Sequence, residues 1–426
     1  MGRPTRAGER DIAIIGAGVS GLTAAHVLQR GNAVTLYESR PTLGGHADTH
    51  DVVSANGRTL AIDTGFIVHN ERTYPTLLRL FRDLGVATQD SDMSMSVRCD
   101  GCGLEYAGAQ GARGLFARPQ SAVSGRYLRM LGEVLRFHRA ARKLLADGGL
   151  AEPTLAEFLS AGHYSDYFVQ HFMTPVVSCV WSCAPDMALQ YPARYLFAFL
   201  DNHGMLSVTG SPTWRTVVGG SRSYVEAAAK NLTAVHTATP VRAVTRTAGG
   251  VEVRDDADHV QRYDAAVIAT HPDQALRLLA EPTPSQQELL EAFTYSQNAT
   301  VLHTDTSLLP RASGARASWN YRLAGCDTRA GQVLVSYDMN RLQRIAAPET
   351  YVVTLNPGGR VDPTRVLETM NYEHPIYTPT AVAAQRRLSR LNDGVLAFAG
   401  AYHGWGFHED GARSGLAAAQ SLGGEW

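Results

Sequence analysis

The stretch IAIIGAGVSG (residues 12–21) decides how this chain folds. Four apolar residues suited to a buried strand run straight into Gly16, Gly18 and Gly21, and helix-forming residues follow over 22–30 until Gly31-Asn32 stops them. Strand, glycine turn and helix in this order are the context in which G-x-G-x-x-G holds a dinucleotide pyrophosphate. The first glycine makes the tight turn and the second lets backbone approach the phosphates. The third lets helix pack on strand, and the helix N-terminus adds partial positive charge. The phosphate loop is thus Gly16, Gly18, Val19, Ser20 and Gly21, and the next strand, 33–37, ends at Glu38, 20 residues beyond Gly18. A carboxylate there can accept from both ribose hydroxyls. By itself this element suits NAD as well as FAD.

Residues 395–419, VLAFAGAYHGWGFHEDGARSGLAAA, form a second apolar strand, a glycine-rich turn and a small-residue helix. A helix starting near Asp410-Gly411 would aim its amides at the flavin edge that becomes anionic on reduction. Glu38-Ser39-Arg40 followed by Gly44-Gly45-His46 resembles the E-x-R-x-x-x-G-G-R stretch of the amine-oxidase-like flavoproteins, with His46 in place of the final Arg. Asp63-Thr64-Gly65-Phe66 resembles their D-x-G segment beside the flavin. Thr239-Pro240-Val241 resembles the strand that in those flavoproteins gives backbone bonds to adenine, and DAAVIATHP (264–272) resembles the strand that follows it.

The longer matches GFIVHNERTYPTLLRLFRDLGV (65–86), GGSRSYVEA (219–227), VTLNP (353–357) and GAYHGWGFHEDG (400–411) resemble one branch of that superfamily. It is the flavoprotein fused to, or encoded beside, cyclopropane fatty-acyl synthases. The resemblance implies FAD, an oxidoreductase, an acyl-lipid substrate and a lipid methyltransferase or cyclopropane synthase as partner. It implies that Glu38, Ser39, Arg40, Gly44, Gly45, His46, Thr64, Gly65, Phe66, Val241, Gly400, Glu409 and Asp410 join the phosphate loop around FAD. Relatives of the wider superfamily oxidise amines, desaturate polyenes or move double bonds in fatty acids. An amine oxidase, a non-redox isomerase and an FAD-binding accessory of a methyltransferase are therefore alternatives.

The expected fold is α/β: a Rossmann-like FAD-binding domain with a doubly wound parallel sheet, and a second α+β substrate domain with a mixed or antiparallel sheet and a helical region. Residues 1–90, 215–275 and 390–426 would build the first domain, and 91–214 and 276–389 the second, with 91–214 largely helical. Asn56-Gly57 marks a hairpin within 48–67. Thr154-x-x-Glu157 and Ser223-x-x-Glu226 read as capping boxes, and Pro175 reads as closing a helix that ends at Phe172. Strand composition at 299–305, 316–321, 333–338 and 351–355 predicts the second sheet.

A net charge of −1 gives no footprint for nucleic acid. Five cysteines, an odd number, fit a reducing compartment. MGRPTRAGERD lacks the apolar core of a signal peptide, and no run of 18 apolar residues occurs, so a cytoplasmic location is expected. The helical stretch 126–145 sets Leu128, Leu131, Leu135 and Leu145 among five arginines and Lys143, a pattern that can lie on an anionic membrane, here its inner face.

Amine oxidases of this fold commonly hold a Lys near flavin N5, whereas this chain has only Lys143 and Lys230, neither on a substrate strand. His303 is the nearest polar candidate for that position. With Tyr402 and Trp405 it completes the expected catalytic set, Tyr402, Trp405 and Phe407 being candidates for the substrate wall. His203 reads as a packed histidine beside Trp214-Arg215. No metal is expected, because the pairs Cys99/Cys102 and Cys179/Cys183 do not make two matching knuckles.

Overall fold

The computed structural model describes residues 9–147, 152–207, 210–327 and 331–426, and residues 1–8 of the N-terminal stretch read above lie outside the described residues. The first strand, Asp11–Ile15, is the middle of a five-stranded, all-parallel sheet. Its spatial order is Ala234–His236, Ala33–Tyr37, Asp11–Ile15, Ala265–Ile268, Leu396–Phe398. Strands far apart in the chain thus meet in one sheet.

The period-two alternation of strand side chains gives that sheet two separate cores. Ile12, Ile14, Val34, Leu36 and Val267 face a core shared with the helices Val19–Leu28, Arg222–Ala229 and His408–Ser421. Ala13, Ile15, Ala266 and Ile268 face the other way. There the covering layer is an antiparallel meander, Val241–Thr247, Gly250–Asp255 and Val260–Tyr263, through Val244, Val251, Val253 and Tyr263. The helix Val19–Leu28 is buried along its whole length and has no side-chain cap at Gly18. Packing therefore holds it, each buried Leu or Val contributing roughly 1.5–3 kcal/mol.

A seven-stranded mixed sheet lies across the cavity from this unit. Its order is Val366–Ile376, Thr294–His303, Val352–Leu355, Val335–Asp338, Trp319–Leu323, Met95–Cys99, Glu105–Ala107. All neighbours are antiparallel except Trp319–Leu323 beside Met95–Cys99. Thr49–Val53 and Thr59–Asp63 pair around Asn56-Gly57 as expected. The Thr154 box closes in both directions: Thr154 Oγ1 accepts from Glu157 N at 3.2 Å and Glu157 Oε2 accepts from Thr154 N at 2.8 Å.

Three local expectations are corrected. Pro175 does not end a helix; it sits in the first turn of Thr174–Trp181, directly after a π-helical stretch, Val169–Met173. The widened turn accommodates the missing N–H and the ring, which a regular helix interior would not. The Ser223–Glu226 box does not form, because Ser223 Oγ donates instead to Gly220 O at 2.9 Å. The helix opens at Ser221, whose N–H and hydroxyl are both captured by buried Asp63. The C-terminal helix begins at His408, earlier than Asp410.

Candidate active site

A cavity of about 860 Å³ runs from the phosphate loop to the seven-stranded sheet. Its first end is made largely of backbone. Gly16, Gly18, Val19 and Ser20 line it together with Glu38, Arg40, Gly45 and Thr239–Val241. Glu38 ties the loop to the second strand: Oε2 accepts from Ala17 N at 2.9 Å and Oε1 from Arg40 N at 2.9 Å. Gly21 stands behind the lining, where a Cβ would sit 1.9 Å from Gly16 O, so helix and turn can meet only at glycine. Gly44 also lies behind, its N–H donating to Ala17 O at 2.9 Å.

His46 lines the cavity with its ring 5.2 Å from Tyr372 and 5.4 Å from His374. Burial, with His271 and Arg40 nearby, pushes its pKa down to about 4. It is therefore neutral near pH 7 and does not restore the charge of the Arg it replaces. His374 is pushed down to about 3 by the same burial.

Asp63 is the knot between the two ends. Its carboxylate accepts from Ser221 N at 2.9 Å, Ser221 Oγ at 2.8 Å, Thr49 Oγ1 at 2.6 Å and Gln343 Nε2 at 3.0 Å. Burial outweighs these donors and raises its pKa from 3.8 to about 6. The knot fixes the segment that brings Thr64, Gly65 and Phe66 to the cavity. Thr64 Oγ1 meets Tyr372 Oη at 2.6 Å, and Phe66 stacks on His408 at 3.7 Å.

The far end is apolar and aromatic. Met95, Val180, Trp181, Phe199, Trp319 and Phe407 line it, Trp181 4.7 Å and Phe407 4.8 Å from Phe199 between ring centroids. His203 and Trp214 line it too, His203 with Nδ1 at 3.0 Å from Phe199 O. Arg215 turns away to Asp90 at 2.7 Å. Neither lysine lies here; both are exposed elsewhere.

Several expected site residues are not in the cavity wall. His303 is fully buried in the sheet, with Nε2 at 2.8 Å from Thr354 Oγ1 and Nδ1 accepting from Asp305 N at 3.1 Å. Both ring nitrogens are occupied, so it is a packed strand histidine. Trp405 packs outside the cavity against Phe199, and its carbonyl accepts from Trp181 Nε1 at 2.9 Å. Glu409 and Asp410 turn away from the main cavity. Glu409 caps the helix Pro75–Leu84 by accepting from Thr76 N at 3.0 Å and Leu77 N at 2.9 Å. Asp410 caps its own helix through Phe407 N at 3.1 Å, burial raising its pKa to about 6. Tyr402, Val241 and Gly400 do line the cavity. Sequence reasoning missed Trp319, Tyr337 and Tyr372, whose isolated positions on ordinary strands carry no local signal.

A model of flavin containing amine oxidoreductases matches residues 19–422. The chain belongs to that family. It is 28% identical over 292 residues to a carotenoid phi-ring synthase of Streptomyces griseus, covering 63% of this chain and 54% of that protein. It is 25% identical over 320 residues to a putative flavin-containing monoamine oxidase of Mycobacterium tuberculosis, covering 71% of this chain and 66% of that one. The match thus spans roughly half to two thirds of these relatives' length. Among solved structures, cyclohexylamine oxidase from Brevibacterium oxydans has a TM-score of 0.68 at 17% identity, covering 97% of this chain and 98% of its own. A CLA-producing fatty acid isomerase from P. acnes has a TM-score of 0.67 at 16% identity, covering 96% and 98%. These likenesses show a shared fold.

The family is one of flavin-containing oxidoreductases, and FAD is its cofactor. The cavity fits that cofactor on its own terms. Gly18 lines it with no protein atom within 4 Å of a would-be Cβ, leaving backbone open to a diphosphate. Tyr402 Oη is buried at the cavity without a hydrogen-bond partner among the described residues.

Proposed function

We propose that this enzyme oxidises the acyl chain of a lipid, at a carbon near a double bond or methyl branch. The observation that carries the reading is the apolar far end of the cavity. Among the described residues, the two carboxylates lining the cavity are Glu38 and Glu373. Both are already engaged, Glu38 by backbone donors and Glu373 by His271 at 3.0 Å. A substrate ammonium would have no free counter-ion, and burying such a charge unpaired costs several kcal/mol. A hydrocarbon chain meets no such cost there and gains from burial.

When bound, FAD supplies a hydride acceptor. Gly16–Ser20, Glu38, Arg40, Gly45 and Val241 would hold its nucleotide part, and Thr64–Phe66 and Gly400 its ring. The aromatic side chains orient the chain and exclude water, with no lysine to assist reaction with oxygen. The names of the carotenoid synthase and the fatty acid isomerase, and the resemblance to flavoproteins encoded beside cyclopropane synthases, support a lipid substrate.

Reaching such a substrate calls for a membrane-facing surface. The helix Gly125–Ala146 leaves Leu128 and Leu135 each 44% exposed beside Arg139, Arg142 and Lys143. We assign this face to anionic lipid; flotation with phosphatidylglycerol vesicles but not phosphatidylcholine ones is the expected result. No helix among the described residues is long and apolar enough to cross a membrane.

The deciding comparison is the fatty-acyl profile of cells with and without the gene, where loss of an oxidised or desaturated species is expected. An unchanged profile together with turnover of a small amine would overturn the reading. Turnover without any electron acceptor would replace oxidation by double-bond migration.

A further inference from the structure

The tertiary structure gathers four side chains that the sequence leaves scattered: Cys99, Cys102, His171 and Cys326. Their ligand atoms all lie within 4.8 Å of one another. Cys99 and Cys102 flank the turn of the hairpin Met95–Cys99/Glu105–Ala107. Cys326 follows the neighbouring strand Trp319–Leu323, and His171 comes from the π-helical stretch. We propose that these residues form a closed, structural Cys3His zinc site that fastens the helical segment to the seven-stranded sheet.

Two of the six edges between ligand atoms have tetrahedral lengths, and the other four are no longer than 4.8 Å. Zinc bonds of about 2.3 Å to sulfur and 2.0–2.1 Å to nitrogen imply S···S edges of about 3.8 Å and S···N edges of about 3.6 Å. Cys99 Sγ lies 3.8 Å from Cys326 Sγ, and Cys102 Sγ lies 3.6 Å from His171 Nε2. A disulfide requires sulfurs about 2.05 Å apart and would leave the histidine without a part.

The surroundings fit a metal as well as the four ligands do. His171 Nδ1 lies 3.1 Å from Tyr167 O, which fixes the proton on that nitrogen and turns a bare Nε2 to the sulfurs. The ring is held by stacking on Tyr167 at 4.0 Å. The Cys99–Cys102 turn is clamped onto the Cys326 loop: Asp100 N donates to Leu323 O at 2.9 Å, and Arg322 Nε donates to Asp100 Oδ2 at 2.8 Å. At Gly101 a Cβ would fall 2.9 Å from Gly325 Cα, so only glycine permits this approach. Cys99 and His171 are buried and the other two half-buried, which leaves no open position for a substrate. Zinc binding displaces the thiol protons to solvent, and the set carries one net negative charge beside Arg126, which lies 5.0 Å from the Tyr167 ring.

The site would act on the chamber through both of its walls. Met95 precedes Cys99 on one strand, and the helix after His171 carries Val180 and Trp181.

The test is elemental analysis of the FAD-loaded full chain, grown with zinc and purified without chelator or metal-affinity tag. About one zinc per chain is expected, falling below about 0.2 in Cys102→Ser and His171→Ala, while His171→Cys and the control Cys183→Ala keep it. Cobalt(II) added to metal-stripped protein should give the charge-transfer and d–d bands of a tetrahedral thiolate site. If Cys102→Ser does not fold, this titration of the unaltered chain decides. Substoichiometric zinc with no tetrahedral cobalt spectrum would overturn the proposal, as would a Cys99–Cys326 disulfide in the purified protein. None of these readouts involves substrate, so the site and the acyl-chain reading can fail separately.

Discussion

The two ends of the cavity are built by different means. At the phosphate loop, contiguous backbone does the work, with Gly16, Gly18 and Ser20 presented by one turn and clipped by Glu38. At the aromatic end, side chains from separate elements converge: Met95 and Trp319 from the sheet, Trp181 and Phe199 from helices, and Phe407 from the C-terminal turn. Backbone recognition tolerates little change in sequence, whereas a side-chain wall can be rewritten one residue at a time. On the proposed reading, cofactor and substrate would therefore be under separate control within a single cavity.

Gly18→Val should give the largest effect that separates the ends. Its Cβ meets no protein atom within 4 Å, so folding is retained, but the side chain enters the phosphate space. FAD affinity should fall at least about 1,000-fold, roughly 4 kcal/mol, by flavin fluorescence titration. Retention of FAD would break the comparison at its first term.

Asp63 tests the knot that joins the ends. Its folded pKa of about 6 lies above the ordinary 3.8, so the folded state prefers the protonated form. The stability it contributes is complete below pH 3.8 and is lost as pH rises through 6. Asn cannot ionise, so the penalty of Asp63→Asn should be larger at pH 4 than at pH 7, by up to about 3 kcal/mol in urea unfolding. A penalty that grows with pH would show that the four donors outweigh burial.

Phe407→Ala probes the aromatic end alone. Binding of an acyl substrate should weaken about tenfold while FAD content is unchanged, since the lost burial is worth roughly 1.5–3 kcal/mol and the wall relaxes in part. A drop in FAD instead would mean that the ends are not separable. The smallest effect is expected for His303→Gln, which should alter flavin reduction by substrate less than about twofold because the ring touches Thr354 and Asp305 rather than the cavity.

Legibility in the sequence followed the same division. The phosphate loop, the hairpin at Asn56-Gly57 and the strand before Gly400 were readable because each is a local pattern with a local cause. The packing of the meander onto the parallel sheet and the seizure of Ser221 by Asp63 depend on partners distant in the chain, while the continuation through Pro175 rests on a local π-turn that a regular helix pattern does not announce. His303 misled because strand composition does not reveal that Thr354 and Asp305 already satisfy its ring. Glu409 and Asp410 misled in the opposite way: they stand in the flavin-associated motif, yet their carboxylates cap two helices. Trp319 and Tyr372 have no periodic or motif signal at all.

The central claim is that the aromatic end accepts an uncharged hydrocarbon chain. Its most direct test is the anaerobic half-reaction, in which FAD-loaded protein is mixed with a fatty-acyl phospholipid or with a small primary amine and flavin absorbance is followed. The account predicts bleaching by the lipid and none by the amine; bleaching by the amine with no response to any acyl lipid would contradict it.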